Sequence, residues 1–211
     1  MGIRKFFAYM YDTVAKTFKV GDTSGSNYSE FESDGTLRFN GNATVFEDEY
    51  ASYFFNETGA TAPDVVTVSG NNKAYGFDGA STLEGLNCFI ELPHKYKEGS
   101  DIELHIHYFR KTAGAGDVKW FADYSICPLM GNLVASQTVS VVKTVGAVDY
   151  CDVATIAIIP GAGRKISDVI ALRIYRNPAD AQDTYAADVI MTSFGIHYEL
   201  DTMGSRQMYV K

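Results

Sequence analysis

The side chains best suited to chemistry are two histidines at alternate positions, His105 and His107, in Ile102-Glu-Leu-His-Ile-His-Tyr-Phe109. On a strand, alternate residues share a face, so both imidazoles stand on one side, as joint metal coordination requires. The chain holds 4 histidines; His197 is a candidate third ligand and His94 a fourth, but no fixed spacing ties either to the pair. Polar-face or subunit-contact roles are the default for strand histidines of this kind. The loop Asn177-Pro-Ala-Asp-Ala-Gln-Asp-Thr184 places oxygen donors close enough for calcium without the spacing of an EF-hand. Asn, Pro and Asp are equally the residues that turns select, and turn chemistry is the preferred reading. Gly161-Ala-Gly-Arg-Lys165 is too short for a phosphate loop, and neither a nucleophile elbow nor a paired-carboxylate signature is present.

The run Gly99-Ser-Asp-Ile-Glu-Leu-His-Ile-His107 resembles the opening of the cupin motif, a Gly followed after five residues by His-x-His. The resemblance stops there. A cupin places a Glu a few residues on, and Tyr108 to Thr112 supplies none; the second motif, with its Pro-x-Gly and third His, is also missing. The expectation is therefore no catalytic residue, no metal and no cofactor. A cupin-like metalloenzyme that uses His105, His107 and His197 remains the least supported alternative.

What holds these residues is a chain of alternating strands. Ile102, Leu104, Ile106 and Tyr108 form one face of a half-buried strand, with Glu103, His105 and His107 on the other. Val118, Trp120, Ala122, Tyr124 and Ile126 repeat the pattern, as do Ile170, Leu172 and Ile174. In the longest such run, Ile190, Phe194, Ile196, Tyr198 and Leu200 share a face opposite Ser193, Gly195, His197 and Glu199. Turn signals separate the runs at Asp34-Gly35, Asn40-Gly-Asn42, Gly70-Asn-Asn72, Asp78-Gly79, Gly114 to Asp117 and Pro160 to Gly163. No long capped helix pattern is present, though Val45 to Phe55 and Ala179 to Tyr185 could each hold a short helical turn. About nine or ten strands result. That number predicts an all-β, antiparallel β-sandwich of the jelly-roll type, with an N-terminal arm or peripheral segment.

A chain of 211 residues suits one such domain and buries roughly 70% of its unfolded surface without disulfides or metal. The formal net charge of −8, with basic residues at most in pairs, argues against nucleic acid as a partner. Cys88, Cys127 and Cys151 form no CxxC pair, and Cys88 and Cys151 read as small buried hydrophobes in a reducing cytoplasm. No export signal or membrane-spanning run is expected, the longest apolar stretch being Val153 to Pro160. Residues 1–30 differ from the alternating body, 31–211. Phe6, Phe7, Tyr9, Met10 and Tyr11 crowd without a period, and Gly21 to Asn27 reads as a flexible connector. Phe6, Phe7, Tyr9 and Tyr11 are candidate partner-binding residues of an arm; a peripheral strand that covers the domain's own sheet is the equal alternative.

Phe31-Glu-Ser-Asp-Gly-Thr-Leu37, Leu92-Pro-His-Lys-Tyr-Lys-Glu-Gly-Ser-Asp101, Tyr175-Arg-Asn-Pro-Ala-Asp180 and Asp201-Thr-Met-Gly-Ser-Arg-Gln-Met-Tyr-Val-Lys211 together carry a likeness. From residue 31 to the end the chain resembles a family of tailed-bacteriophage virion proteins described as structural, head-decoration or tail-associated. That resemblance implies a virion location after synthesis in the host bacterial cytoplasm, and it carries no catalytic residues. It also implies partners: the chain itself, as a homotrimer, and the major capsid protein or other virion proteins, with no nucleic acid and no membrane. Without heptads or internal repeats, a compact capsid decoration or cement protein fits better than a tail-fibre, receptor-binding or carbohydrate-binding virion module.

Overall fold

A computed structural model of the chain describes residues 9–12, 16–22, 24–52, 54–56, 61–80 and 82–211, of which 9–12 and 56 by their backbone alone. The described residues form three antiparallel sheets. The first is built from β1 (Tyr9–Asp12), β2 (Thr17–Gly21), β3 (Tyr28–Phe31) and β4 (Leu37–Asn40), in that order. A single 3-10 turn, Gly41–Ala43, leads into β5 (Val45–Tyr50), β6 (Phe54–Asn56) and β7 (Asp64–Ser69). The remainder is β8 (Asn72–Phe77), β9 (Glu84–Glu91), β10 (Ile102–Arg110), β11 (Asp117–Cys127), β12 (Gln137–Thr144), β13 (Asp152–Ile159), β14 (Val169–Arg176) and β15 (Val189–Leu200).

These last eight strands define the architecture. One sheet runs β8-β15-β10-β13 and the other β9-β14-β11-β12, so the chain passes back and forth between sheets in the double Greek-key winding of a jelly roll. β7 extends the sheet of β8 and β15 beyond β8, and β6 extends the sheet of β9 and β14 beyond β9. β15 is long enough to take two neighbours on one side: Val189 to Met191 pair with β8, and Gly195 to Leu200 pair with β5. The expected antiparallel jelly-roll sandwich is thus the observed fold.

Alternation explains the layers. Along β11 every second residue from Val118 to Ile126 is buried, and those residues face Ile170, Leu172 and Ile174 of the same sheet and Ile102, Leu104 and Ile106 of the other across one continuous core. At its centre Trp120 meets Phe77 and Tyr108 edge to face, with ring centroids 5.1 and 5.4 Å away. Each fully buried aliphatic side chain contributes roughly 1.5–3 kcal/mol, so this interleaved layer is the main source of stability.

Several expectations are corrected. Fifteen strands are present among the described residues, more than the alternation reveals, and Val45 to Phe55 holds β5 and β6 rather than a helical turn. Ala179 to Tyr185 is a turn in which the Asp183 N–H donates to the Asp180 carbonyl at 2.9 Å. Ile190 is buried but does not share the core with Phe194; Val189 and Met191 do. The cause is a bulge, because the β10–β15 register shifts between His107 and Tyr108 and reverses the side-chain parity. Gly21 pairs with Tyr28, and Asp22 N–H donates to the Asn27 carbonyl at 3.0 Å, so the expected connector joins two paired strands, β2 and β3. The boundary at residue 30 falls inside β3. Of the aromatic candidates, Phe6 and Phe7 lie outside the described residues, while Tyr9 and Tyr11 fall in β1. The first sheet joins the body where Phe39 N–H donates to Asp201 at 2.7 Å and where Arg206 pairs with Asp34 at 3.0 Å.

Candidate functional site

The register of three strands assembles the histidines. Asp48 of β5 lies opposite His197 of β15, which lies opposite Glu103 of β10. Two positions along, Tyr50 lies opposite Gly195, and Gly195 opposite His105. Since Leu104, Ile106, Ile196 and Tyr198 point into the core, both rows face outward from the sandwich. Gly195 is what lets them close up: a Cβ there would stand 2.5 Å from the Glu49 carbonyl oxygen and 2.9 Å from the Tyr50 ring.

The result is a compact polar cluster. His197 bridges two carboxylates, with Nε2 2.6 Å from Asp48 Oδ1 and Nδ1 3.1 Å from Glu103 Oε1. Glu103 also accepts the Thr155 hydroxyl at 3.0 Å. The His105 ring stacks on His197 with centroids 4.0 Å apart and planes at 15°, and Tyr50 caps it edge-on. Although it lies on the outer face, His105 is 0% exposed, and neither ring nitrogen has a hydrogen-bond partner. Burial first, then the His197 and His107 imidazoles, hold its pKa down to about 4 against the pull of Asp48 and Glu103. Alongside opens a cleft of about 710 Å³ whose walls include Phe46, Lys97, Asp101, Glu103, Ile158 and His197.

Sequence spacing names His105 and His197 but misses the residue that joins them. Asp48 sits in a segment whose sequence allows a short helical turn, and the signal that could reveal it is the alternation Phe46, Asp48, Tyr50. His107 stands aside, its ring centroid 5.2 Å from that of His105, and it supplies no atom to the Asp48, His105 and His197 group. His94 is elsewhere, with Nδ1 2.5 Å from the Ser205 hydroxyl.

The acidic loop spends its carboxylates internally. Asp180 pairs with Lys119 at 2.8 Å, and Asp183 grips the buried Arg176 through two bonds of 2.9 and 2.8 Å. Cys88 is buried, and that burial pushes its thiol up to about 12. Cys151, expected to be buried, is exposed because it precedes β13 instead of lying within it.

A second feature occupies the outer face of the other sheet. Phe55 and Phe89 stack with centroids 5.9 Å apart and planes at 22°, and both are about half exposed. Beside them a shallow cleft of about 280 Å³ is lined by Asn87, Ser125 and the ion-paired Asp123 and Arg173, which lie 3.1 Å apart.

Winding and layers therefore define a jelly-roll β-sandwich whose polar and apolar features both lie on its outer faces. No protein-family model matches the chain, and no curated protein matches it. Among solved structures, the chain is similar to the CBM22-1 xylan-binding domain from Paenibacillus barcinonensis Xyn10C, at 11% identity and a TM-score of 0.37, with 76% of this chain and 94% of that one covered. It is similar to TmCBM61, solved with beta-1,4-galactotriose, at 11% identity and a TM-score of 0.31, covering 75% and 88%. An infectious bursal disease virus structure, Gt strain, matches at 9% identity and a TM-score of 0.31, covering 90% of this chain and 52% of that one.

Proposed function

We propose that the chain is a virion structural protein that binds and assembles instead of catalysing a reaction: a capsid decoration or cement subunit that forms trimers with its own copies and docks on the major capsid protein. The observation that carries this reading is a set of exposed apolar side chains on the outer face that ends in a free strand edge. Phe46 is 72% exposed, Ile158 53% and Val153 46%, and β13, which bears the last two, pairs only with β10 among the described strands. Large apolar groups at a sheet edge favour association, because pairing covers them and satisfies the open backbone groups together. The likeness to phage virion proteins from residue 31 onward supports the location.

Light scattering after size exclusion tests the assembly, and sedimentation with purified capsids tests the docking. A trimer that Phe46→Ser with Ile158→Ser reduces to monomer supports the proposal. A monomer at micromolar concentration that also fails to sediment with capsids refutes it.

A carbohydrate-binding virion module is the second reading, and the Phe55 and Phe89 platform favours it. Aromatic faces stack on sugar rings while Asn87, Asp123 and Arg173 offer hydrogen bonds to hydroxyls. Glycan-array binding that Phe89→Ala abolishes would establish it.

A further inference from the structure

We infer that Asp48, His105 and His197 form a binding site for a divalent transition-metal ion of the zinc class, clipping β5 to β15 and β10. The three side chains offer two imidazole nitrogens and a carboxylate oxygen, all within 4.8 Å of one another. Two imidazoles with one carboxylate suit zinc and its neighbours better than magnesium or calcium, which take oxygen donors.

Two observations point to an ion independently of that proximity. The first is His105, which is fully buried yet leaves both ring nitrogens without a partner, while its Nε2 lies 3.7 Å from Asp48 Oδ1. Buried polar atoms are almost always satisfied, so this one requires an explanation. The second is the contact between Glu103 and His197 Nδ1. A carboxylate at that nitrogen is the usual device for orienting a ligating histidine, since it holds the proton on Nδ1 and leaves the Nε2 lone pair free. Here Nε2 is the ring atom that Asp48 Oδ1 approaches, at 2.6 Å, so an ion bound by both would take the place of the proton in that contact. A proton on His197 would satisfy Asp48 and Glu103 equally, but it leaves His105 without a partner. An ion reached by both rings accounts for all four side chains.

The geometry needs only local adjustment. A tetrahedral ion with bonds of about 2.0–2.2 Å spaces its donors roughly 3.3–3.6 Å apart. Asp48 Oδ1 is 2.6 Å from one imidazole and 3.7 Å from the other, so it moves away from His197 while the stacked rings tilt to converge. Asp48 has that freedom, because β5 pairs with β15 alone among the described strands.

The test is titration of chelator-treated, full-length protein with zinc and with cobalt, read by calorimetry, by the visible ligand-field bands of cobalt and by the melting temperature. One ion per chain is expected, with four-coordinate cobalt bands and a raised melting temperature. Asp48→Asn and His197→Gln abolish the bands; Glu103→Gln weakens binding about 10–100-fold; His107→Ala changes nothing. Asp48 is part exposed, so Asp48→Asn keeps the fold, which circular dichroism verifies, and the inference stays testable even if a His105 variant does not fold. Absence of stoichiometric binding overturns the inference. So does binding that survives both Asp48→Asn and His197→Gln, since the ion then sits elsewhere.

Discussion

Arg176 lies wholly inside the protein where β14 ends, and its guanidinium is held from every side. Nε and Nη2 donate to the Asp183 carboxylate at 2.9 and 2.8 Å, Nη1 to the Phe77 and Ala187 carbonyls at 3.2 and 2.8 Å, and Nη2 also to the Tyr185 carbonyl. One side chain thus ties β14 to the end of β8 and to the loop that leads into β15. Asp183→Ala removes the countercharge but leaves a buried cation, and such a loss costs about 3–5 kcal/mol. The Lys119 N–H, which donates to Asp183 at 3.0 Å, loses its acceptor in the same variant. At about 2–4 °C per kcal/mol for a domain of this size, melting falls by about 6–20 °C. Asp180→Ala in the same loop is the control. Its bond to Lys119 is only part-buried and no buried charge is stranded when it is lost, although the Gln182 N–H also loses its acceptor, so melting falls by much less than in Asp183→Ala. Calorimetry on the two variants reads the difference. If Asp183→Ala melts within about 3 °C of the parent, the guanidinium is hydrated or mobile and the reasoning fails. Replacing both partners, as in Arg176→Met with Asp183→Leu, does not restore the parent, because the Phe77, Tyr185 and Ala187 carbonyls are then left without a donor.

Three further outcomes follow from the same packing. Trp120→Ala empties the contact with Phe77 and Tyr108 at the core centre and lowers stability by about 3–5 kcal/mol, measured from the urea midpoint. Gly195→Ala drives a methyl group into the Glu49 carbonyl and the Tyr50 ring, so limited proteolysis cuts near β5 faster than in the parent; unchanged cleavage would mean that β5 tolerates the shift. Burial raises the Glu84 carboxyl above its ordinary value although the Asp78 N–H favours the charged form at 2.7 Å, so the folded state holds its proton more tightly than the unfolded one. That group's stabilising contribution is present below its unfolded pKa and is lost as pH rises through the folded value. Glu84→Gln is therefore more stable than the parent at neutral pH, and thermal melts across the acidic range show the gap narrowing as pH falls.

How much of this is legible in the sequence depends on where each strand lies. β10, β11, β14 and most of β15 alternate cleanly because one face of each meets the core and the other meets water or a polar row. β5 escapes notice because it lies at an edge: Val45, Phe46 and Tyr50 are all exposed, so the usual burial contrast between its faces is missing. The parity of Ile190 cannot be read at all, since a bulge adds a residue to one strand without changing its composition. The cluster follows the same logic. His105 and His107 are visible as a pair because they share a strand, whereas the partnership of His105 with His197 and Asp48 exists only through register. Spacing along the chain carries no information about it, and the resemblance to a cupin opening points to His107, which stands outside the group.

The jelly-roll winding gives the cluster its dependence on the N-terminal part of the chain. β10 and β15 are neighbours in any jelly roll wired this way, so Glu103, His105 and His197 meet whether or not anything precedes β8. Asp48 does not belong to that wiring. It arrives on β5, which borrows the part of the β15 edge that β8 leaves unpaired, and Gly195 allows the approach. The cluster is therefore complete only when β5 is docked, and docking also brings Phe46 to the outer wall it shares with Ile158. Whatever loosens β5 removes the carboxylate from the histidines and Phe46 from the cleft in one event. The ion binding and the self-association proposed above would both depend on β5, so a variant that releases β5 is expected to weaken the two together.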